Sequence, residues 1–139
     1  MSEPLHILNV YGPYREREFF WNNALRGGLL NLPYLVLGGD LNLTLHSSKI
    51  WGSKATLDPL SYHFISLFET AGLVDVAPLV TGPTWRNGWY SILDIGKRLD
   101  IFMVADHLVP LLPQDRVWTR TSEIFDHYPI CLDWFEVGK

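Results

Sequence analysis

Glycine and proline recur at such short intervals along this chain that no long element can form. Gly12-Pro13, Gly27-Gly28, Gly38-Gly39 and Gly72 close off a succession of short segments. Between them the residue pattern switches between strand and helix. Leu5 to Tyr11 (LHILNVY) predicts a strand. Arg15 to Arg26 predicts a helix with Phe20, Trp21, Ala24 and Leu25 on one face. Tyr34 to Leu37 (YLVL) has the uninterrupted apolar character of a buried strand. In a second helix Asp58 is the N-cap, Pro59 takes the first helical position and Gly72 is the stop. Its residues Leu60, Phe64, Leu67, Phe68 and Ala71 then share a buried face. Further strands are expected at Thr84–Arg86, Arg98–Val104, Arg116–Arg120 and Tyr128–Phe135, with a helical turn over Asp106–Leu112. Strands first mixed with helices and then running together predict a layered α/β protein with a mixed or antiparallel sheet. Without repeats or a linker, residues 1–139 read as a single domain.

Composition bounds the function. A chain of 139 residues that is 47% hydrophobic can build a core of its own. Its 11 Lys and Arg against 15 Asp and Glu leave a net charge of −4, which excludes a polycation that holds nucleic acid by bulk charge. Phosphate binding would therefore need a local site or a metal ion. A single cysteine, Cys131, excludes an internal disulfide and a Cys-rich zinc module, and its apolar surroundings predict a buried thiol. The opening Met1-Ser-Glu-Pro has no basic or long apolar segment, and the uncharged stretch 27–39 is too short to span a bilayer. An intracellular protein, nuclear or cytoplasmic and free of membrane, is the expectation. No GxGxxG or GxxxxGK[ST] loop is present to cradle a nucleotide.

Three acidic groups invite chemistry. Asp40 and Asn42 stand two apart after the Tyr34–Leu37 strand, so an extended backbone would turn both to one face at a strand end. The same residues also suit an Asx turn. Asp100 alternates with Phe102 and Val104, and a carboxylate on an apolar face needs a histidine, an arginine or a metal as partner. Asp126-His127 precedes the last strand, and such a pair can supply a metal ligand and an imidazole that titrates near neutrality, or simply a cap. Trp85-Arg86 can stack on and clamp a nucleotide strand, or be a core tryptophan beside a surface arginine. Tyr11 can donate its phenolic hydrogen to a phosphate, or merely end a strand. His6, His46, His63 and His107 have no metal-ligand spacing.

Taken in order, NVYGP (Asn9–Pro13), GGDLN (Gly38–Asn42), PTWRN (Pro83–Asn87), RLDIF (Arg98–Phe102) and DHYPI (Asp126–Ile130) resemble the endonuclease/exonuclease/phosphatase superfamily. The likeness is to the endonuclease domain of plant LINE-type retroelements in particular, and it runs from about Leu5 to Trp134. It implies a DNase I-like sandwich with a mixed β-sheet and flanking helices, and Mg²⁺-dependent hydrolysis of a phosphodiester in nucleic acid. By the same resemblance Tyr11 would contact phosphate, and Asp40 and Asn42 would orient the attacking water and the scissile phosphate. Asp100 would hydrogen-bond the catalytic His127, and Asp126 would belong to the metal site. Trp85 and Arg86 remain the candidate nucleic-acid contacts.

The resemblance also implies departures. Family domains extend further at the N-terminus, where they carry a catalytic asparagine and a glutamate that ligates Mg²⁺, and this sequence begins after both. Phe125 stands where a small serine usually precedes the Asp-His pair. The expectation is thus an incomplete fold: a truncated phosphodiesterase with impaired catalysis, or a non-catalytic retroelement-derived binding or regulatory protein. An incomplete sandwich would leave a sheet face exposed for a protein partner or a second copy.

Overall fold

The computed structural model describes residues 4–52, 56–79, 81–87, 95–113, 116–119, 127 and 130–132. Among these, the strands are β1 (His6–Asn9), β2 (Leu35–Asp40), β3 (Ile50–Trp51), β4 (Leu73–Asp75), β5 (Trp85–Arg86), β6 (Gly96–Lys97), β7 (Asp100–Ala105), β8 (Val117–Thr119) and β9 (Ile130–Leu132). The α-helices are α1 (Arg17–Arg26) and α2 (Ser61–Thr70), and a 3₁₀ turn covers Asp106–Leu111.

The main sheet has the order β1-β2-β7-β4, parallel only between β1 and β2 and antiparallel elsewhere. Helix α1 makes the crossover that a parallel pair requires. Two smaller sheets, β3-β6-β5 and β8-β9, complete the strands. The architecture is the mixed α/β arrangement expected from the order of elements.

Register sorts the main sheet into two faces. Leu37 opposes Met103 and Leu73 opposes Ala105, so these residues and Leu35 and Ile101 share one face. That face carries the helices: Ile65 and Phe68 of α2 meet Leu73 and Met103 around one small cleft, and Trp21 of α1 meets Phe68 edge to face at 5.4 Å. Val36, Val104, Phe102, Asp40 and Asp100 occupy the other face. Val36 and Val104 in its centre are buried, with β9 packed against β7, whereas Ile7 at the β1 edge is 70% exposed and Val74 on β4 is 39% exposed. Strand β2, buried on both faces at Leu35–Leu37, has the continuous apolar run of an interior strand.

Several expectations are corrected. β2 does not stop before Gly38-Gly39 but runs through both glycines to Asp40, paired with β7 throughout. Helix α1 starts at Arg17 because Glu16 sits at φ 53°, a left-handed conformation that no helix continues through, and Phe20 is half-exposed rather than buried beside Trp21. Asp58 does not cap α2. The helix begins at Ser61, and Asp58 instead closes the preceding turn by accepting the Leu60 N–H. Gly72 does end the helix, at φ 70°. Cys131 is half-buried rather than enclosed. β3, β4 and β6 escape the sequence reading because two or three residues carry too little pattern. Of the expected last strand, only 130–132 lie within the described residues. No described helix is long and apolar enough to cross a membrane.

Candidate active site

The antiparallel pairing of β2 with β7 sets Asp40 directly opposite Asp100 on one face of the sheet. Two carboxylates directly opposite one another on neighbouring strands repel and destabilise the pairing. Here the side chains are only 9% and 16% exposed, so water screens the repulsion little and a donor between them is favoured. His127 answers it. The backbone of His127 bridges to Trp85, which brings the imidazole over the sheet. Its Nδ1 lies 2.8 Å from Asp100 Oδ2 and its Nε2 lies 3.5 Å from Asp40 Oδ2. The ring is thus oriented by Asp100 through a hydrogen bond and faces Asp40 across a gap longer than one.

Asn42 follows by a turn, not by strand alternation. Its φ of 52° breaks the extended geometry that would have placed it two residues along the same face. Asp40 Oδ1 accepts the Asn42 backbone N–H at 3.0 Å, so the Asx turn is present. The Asn42 side-chain NH₂ donates to the Gly12 carbonyl, while its buried Oδ1 has no hydrogen-bond partner among the described residues. A buried acceptor without a donor costs about 1–3 kcal/mol, and native proteins seldom retain one without a use. The residue as a whole is 7% exposed.

Close backbone approach makes this corner possible. A Cβ on Gly12 would lie 2.1 Å from the Leu41 carbonyl oxygen, and one on Gly39 (φ 136°) 2.1 Å from that of Val10. Only glycine lets the chain after β1 run against the end of β2, where the Gly12 N–H donates to Asp40 O at 2.7 Å. Tyr11, next to Gly12, keeps its backbone at this corner, but its side chain is 72% exposed.

Three further groups hold the site and were not singled out as functional in the sequence. Arg17 forks onto Asp58 at 2.6 and 2.9 Å and donates to the Asn42 carbonyl at 3.1 Å, with its guanidinium 5.3 Å from the Phe64 ring centre. Burial alone would raise the Asp58 pKa; the hydrogen bonds and charge of Arg17 and the Leu60 and Thr44 N–H groups outweigh it and hold the carboxyl below its ordinary 3.8. Thr84, 1% exposed, accepts the N–H groups of both Leu99 and Asp100 on its hydroxyl oxygen at 3.0 Å. Arg98 is 2% exposed and forks onto Asp75 at 2.7 and 2.8 Å, anchoring the approach to β7. Their partners lie 15 to 41 residues away along the chain, a distance over which no local pattern carries a signal.

The structure therefore unites Asp40, Asn42, Asp100 and His127. Trp85 and Arg86 are half-buried on β5, paired with Lys97 and Gly96. Trp85 also lines a cleft of about 280 Å³ with Asn42, Arg17, Tyr14, Lys97 and Leu99. Asp126 lies outside the described residues. Asp40, Asp100 and His127 each offer a ligand atom, all within 4.8 Å of one another. Two carboxylates are the usual protein share for Mg²⁺, which keeps water and takes phosphate at its other positions, so the donor set fits a partly hydrated cation. The imidazole would equally suit a softer divalent ion.

No protein-family model matches the sequence, and no curated protein matches it. In three dimensions the sheet, helices and carboxylate-bearing strand ends define a DNase I-like α/β fold. A solved structure with this architecture is the endonuclease domain of TRAS1, a telomere-specific non-LTR retrotransposon, at a TM-score of 0.63 and 20% identity. The match covers 92% of this chain and 56% of that one, so the chain spans little more than half of the neighbour's length.

Proposed function

We propose that this chain is a nuclease-like domain of the endonuclease/exonuclease/phosphatase type, derived from a plant LINE-type retroelement and directed at the phosphodiester backbone of nucleic acid. The observation that carries the proposal is the Asp100–His127–Asp40 array: two opposed carboxylates with an imidazole between them, beside a buried asparagine whose oxygen has no donor among the described residues. Asp100 fixes the ring through Nδ1, and Nε2, which faces Asp40, would be the atom that moves a proton or meets developing charge on phosphate. Asn42 would orient the attacking water. Trp85 and Arg86 would contact the strand and Tyr11 its phosphate, with Asp126 joining the metal site. A bound Mg²⁺ would screen the phosphate from the acidic pocket and polarise its oxygen; Asp40 and Asp100 are the residues to hold it.

Among the described residues no fourth acidic, cysteine or histidine side chain joins the array. The proposal includes impaired catalysis: fewer fixed ligands than a complete metal site would mean weaker electrostatic stabilisation of the transition state. Nicking of supercoiled plasmid by the purified protein tests it. Cleavage that requires Mg²⁺ and disappears in His127→Ala is expected, at a rate well below that of a complete enzyme. A folded, monodisperse sample that leaves the plasmid intact refutes it.

A second reading rests on Ile7 and Val74, exposed at opposite edges of the sheet face that carries Asp100. Under it the chain is a non-catalytic binding protein whose edge strands meet a protein partner or a second copy. Sedimentation of wild type beside Ile7→Lys checks this: a concentration-dependent dimer lost on substitution supports the second-copy form.

A further inference from the structure

Between the starts of α1 and α2 lies a polar network that the reaction chemistry does not itself require. Arg17 Nη1 donates to two acceptors, Asp58 Oδ2 and the Asn42 carbonyl, while Nη2 holds Asp58 Oδ1. Asp58 also faces the Thr44 N–H at 3.4 Å and accepts the Leu60 N–H at 3.0 Å. Phe64 lies under the guanidinium. The network thus grips residues 42 and 44 of the loop after β2 from the start of α1 and from the turn before α2 at once. That loop contains Asn42 at φ 52°, a left-handed conformation that asparagine visits more readily than other side-chain-bearing residues but that its surroundings must still select. The residue so held is Asn42, whose buried Oδ1 has no partner among the described residues.

We propose that Arg17 and Asp58 form a clamp that keeps Asn42 in its left-handed conformation and so fixes where its unpartnered Oδ1 stands beside Asp40. Both are positioning residues: neither need touch the substrate. The inference rests on the nuclease-like reading for its consequence in catalysis, but the clamp can be observed without any turnover.

Lysine separates the clamp from simple charge pairing. In Arg17→Lys the ammonium still neutralises Asp58, but it cannot fork the carboxylate and reach the Asn42 carbonyl together. The test reads the side-chain amide resonances of Asn42 in ¹⁵N-labelled protein, assigned by their loss in Asn42→Asp. In wild type these signals are expected to stand apart from those of exposed asparagines. In Arg17→Lys they are expected to move into the exposed envelope while the protein still melts cooperatively and the His127 ring signals keep their positions. A cooperatively folded Arg17→Lys with unmoved Asn42 signals overturns the clamp. Should Arg17→Lys not fold, Asp58→Asn is read in the same way, with the same two outcomes. Where wild type nicks plasmid, kcat of the folded variant should fall about 10- to 100-fold with KM unchanged. A wild type that does not nick refutes the proposed function alone, since the amide signals still decide the clamp.

Discussion

Replacing Thr84 by valine exchanges its hydroxyl for a methyl group of similar shape, and the lost oxygen is the acceptor for the N–H groups of two successive residues, Leu99 and Asp100. The site is 1% exposed, so water cannot take its place. Each orphaned donor costs about 1–3 kcal/mol; with the Asp100 N–H only part-buried, the sum comes to about 2–4 kcal/mol. Unfolding entropy near 2.1 cal/mol/K per residue gives about 0.3 kcal/mol/K for 139 residues, so Tm should fall by about 10 °C. Serine is the control. Thr84→Ser keeps the acceptor and loses one methyl group, about 1 kcal/mol or 3–4 °C. Scanning calorimetry of the three proteins measures both shifts. The consequence should extend to the site, because the two N–H groups fix the backbone that carries Asp100 opposite Asp40. Thr84→Val should therefore loosen the His127–Asp100 bond, read as faster exchange of the His127 Nδ1 proton, whereas Thr84→Ser should not. A valine variant as stable as the serine variant would refute the reasoning, for it would mean that the paired acceptor contributes nothing.

Other perturbations follow from the same geometry. Arg98→Leu strands Asp75 without its partner and should cost about 3 kcal/mol in urea unfolding, while Arg98→Leu with Asp75→Leu should recover most of it; a double variant no better than the single one contradicts this. Asp58 has a lowered pKa in the folded chain, so it contributes stability above its ordinary 3.8 that is lost as pH falls through the folded value. Asp58→Asn should thus be less stable than wild type at neutral pH, with the difference narrowing below 3.8, and a pH-independent gap in thermal melts would contradict the assignment. Gly39→Ala places a methyl group 2.1 Å from a backbone oxygen at φ 136° and should abolish the folded state. Gly28→Ala, at φ 84° with open space around it, should cost only about 1–2 kcal/mol, and equal tolerance of the two changes in soluble yield and circular dichroism would refute the close approach.

How much of this was legible in the sequence depends on the range over which each feature is specified. Apolar runs and glycine stops are local, and they placed β1, β2, β7 and both helices to within a few residues. Within β2 the local signal misled: Gly38-Gly39 reads as a turn, but pairing with β7 carries the strand onward to Asp40. Asp100 illustrates the opposite case. Its position among Phe102 and Val104 demanded a partner on physical grounds, and the structure supplies His127, 27 residues away. The ordered motifs, not periodicity, named that partner in advance. For Asn42 the local reading holds: the Asx turn that Asp40 makes is what places the asparagine beside it.

What escaped the sequence is the support of the site. Asp58 looked like a helix cap because a carboxylate before proline and an apolar run is the usual cap pattern. Its oxygens are instead taken by Arg17, 41 residues earlier, and the helix starts without it. Thr84 and Arg98 looked like the flanks of more interesting residues, and nothing in their neighbours foretold that one would hold two N–H groups and the other lie buried on Asp75. A site's reacting groups belong to short motifs because chemistry requires particular side chains at particular spacings. The groups that hold them need only complementary shape and hydrogen bonding, which many residues satisfy from anywhere in the chain. The support of an active site is therefore the part that the fold must be known to reveal, and Arg17, Asp58 and Thr84 are where substitutions should separate stability from function in this protein.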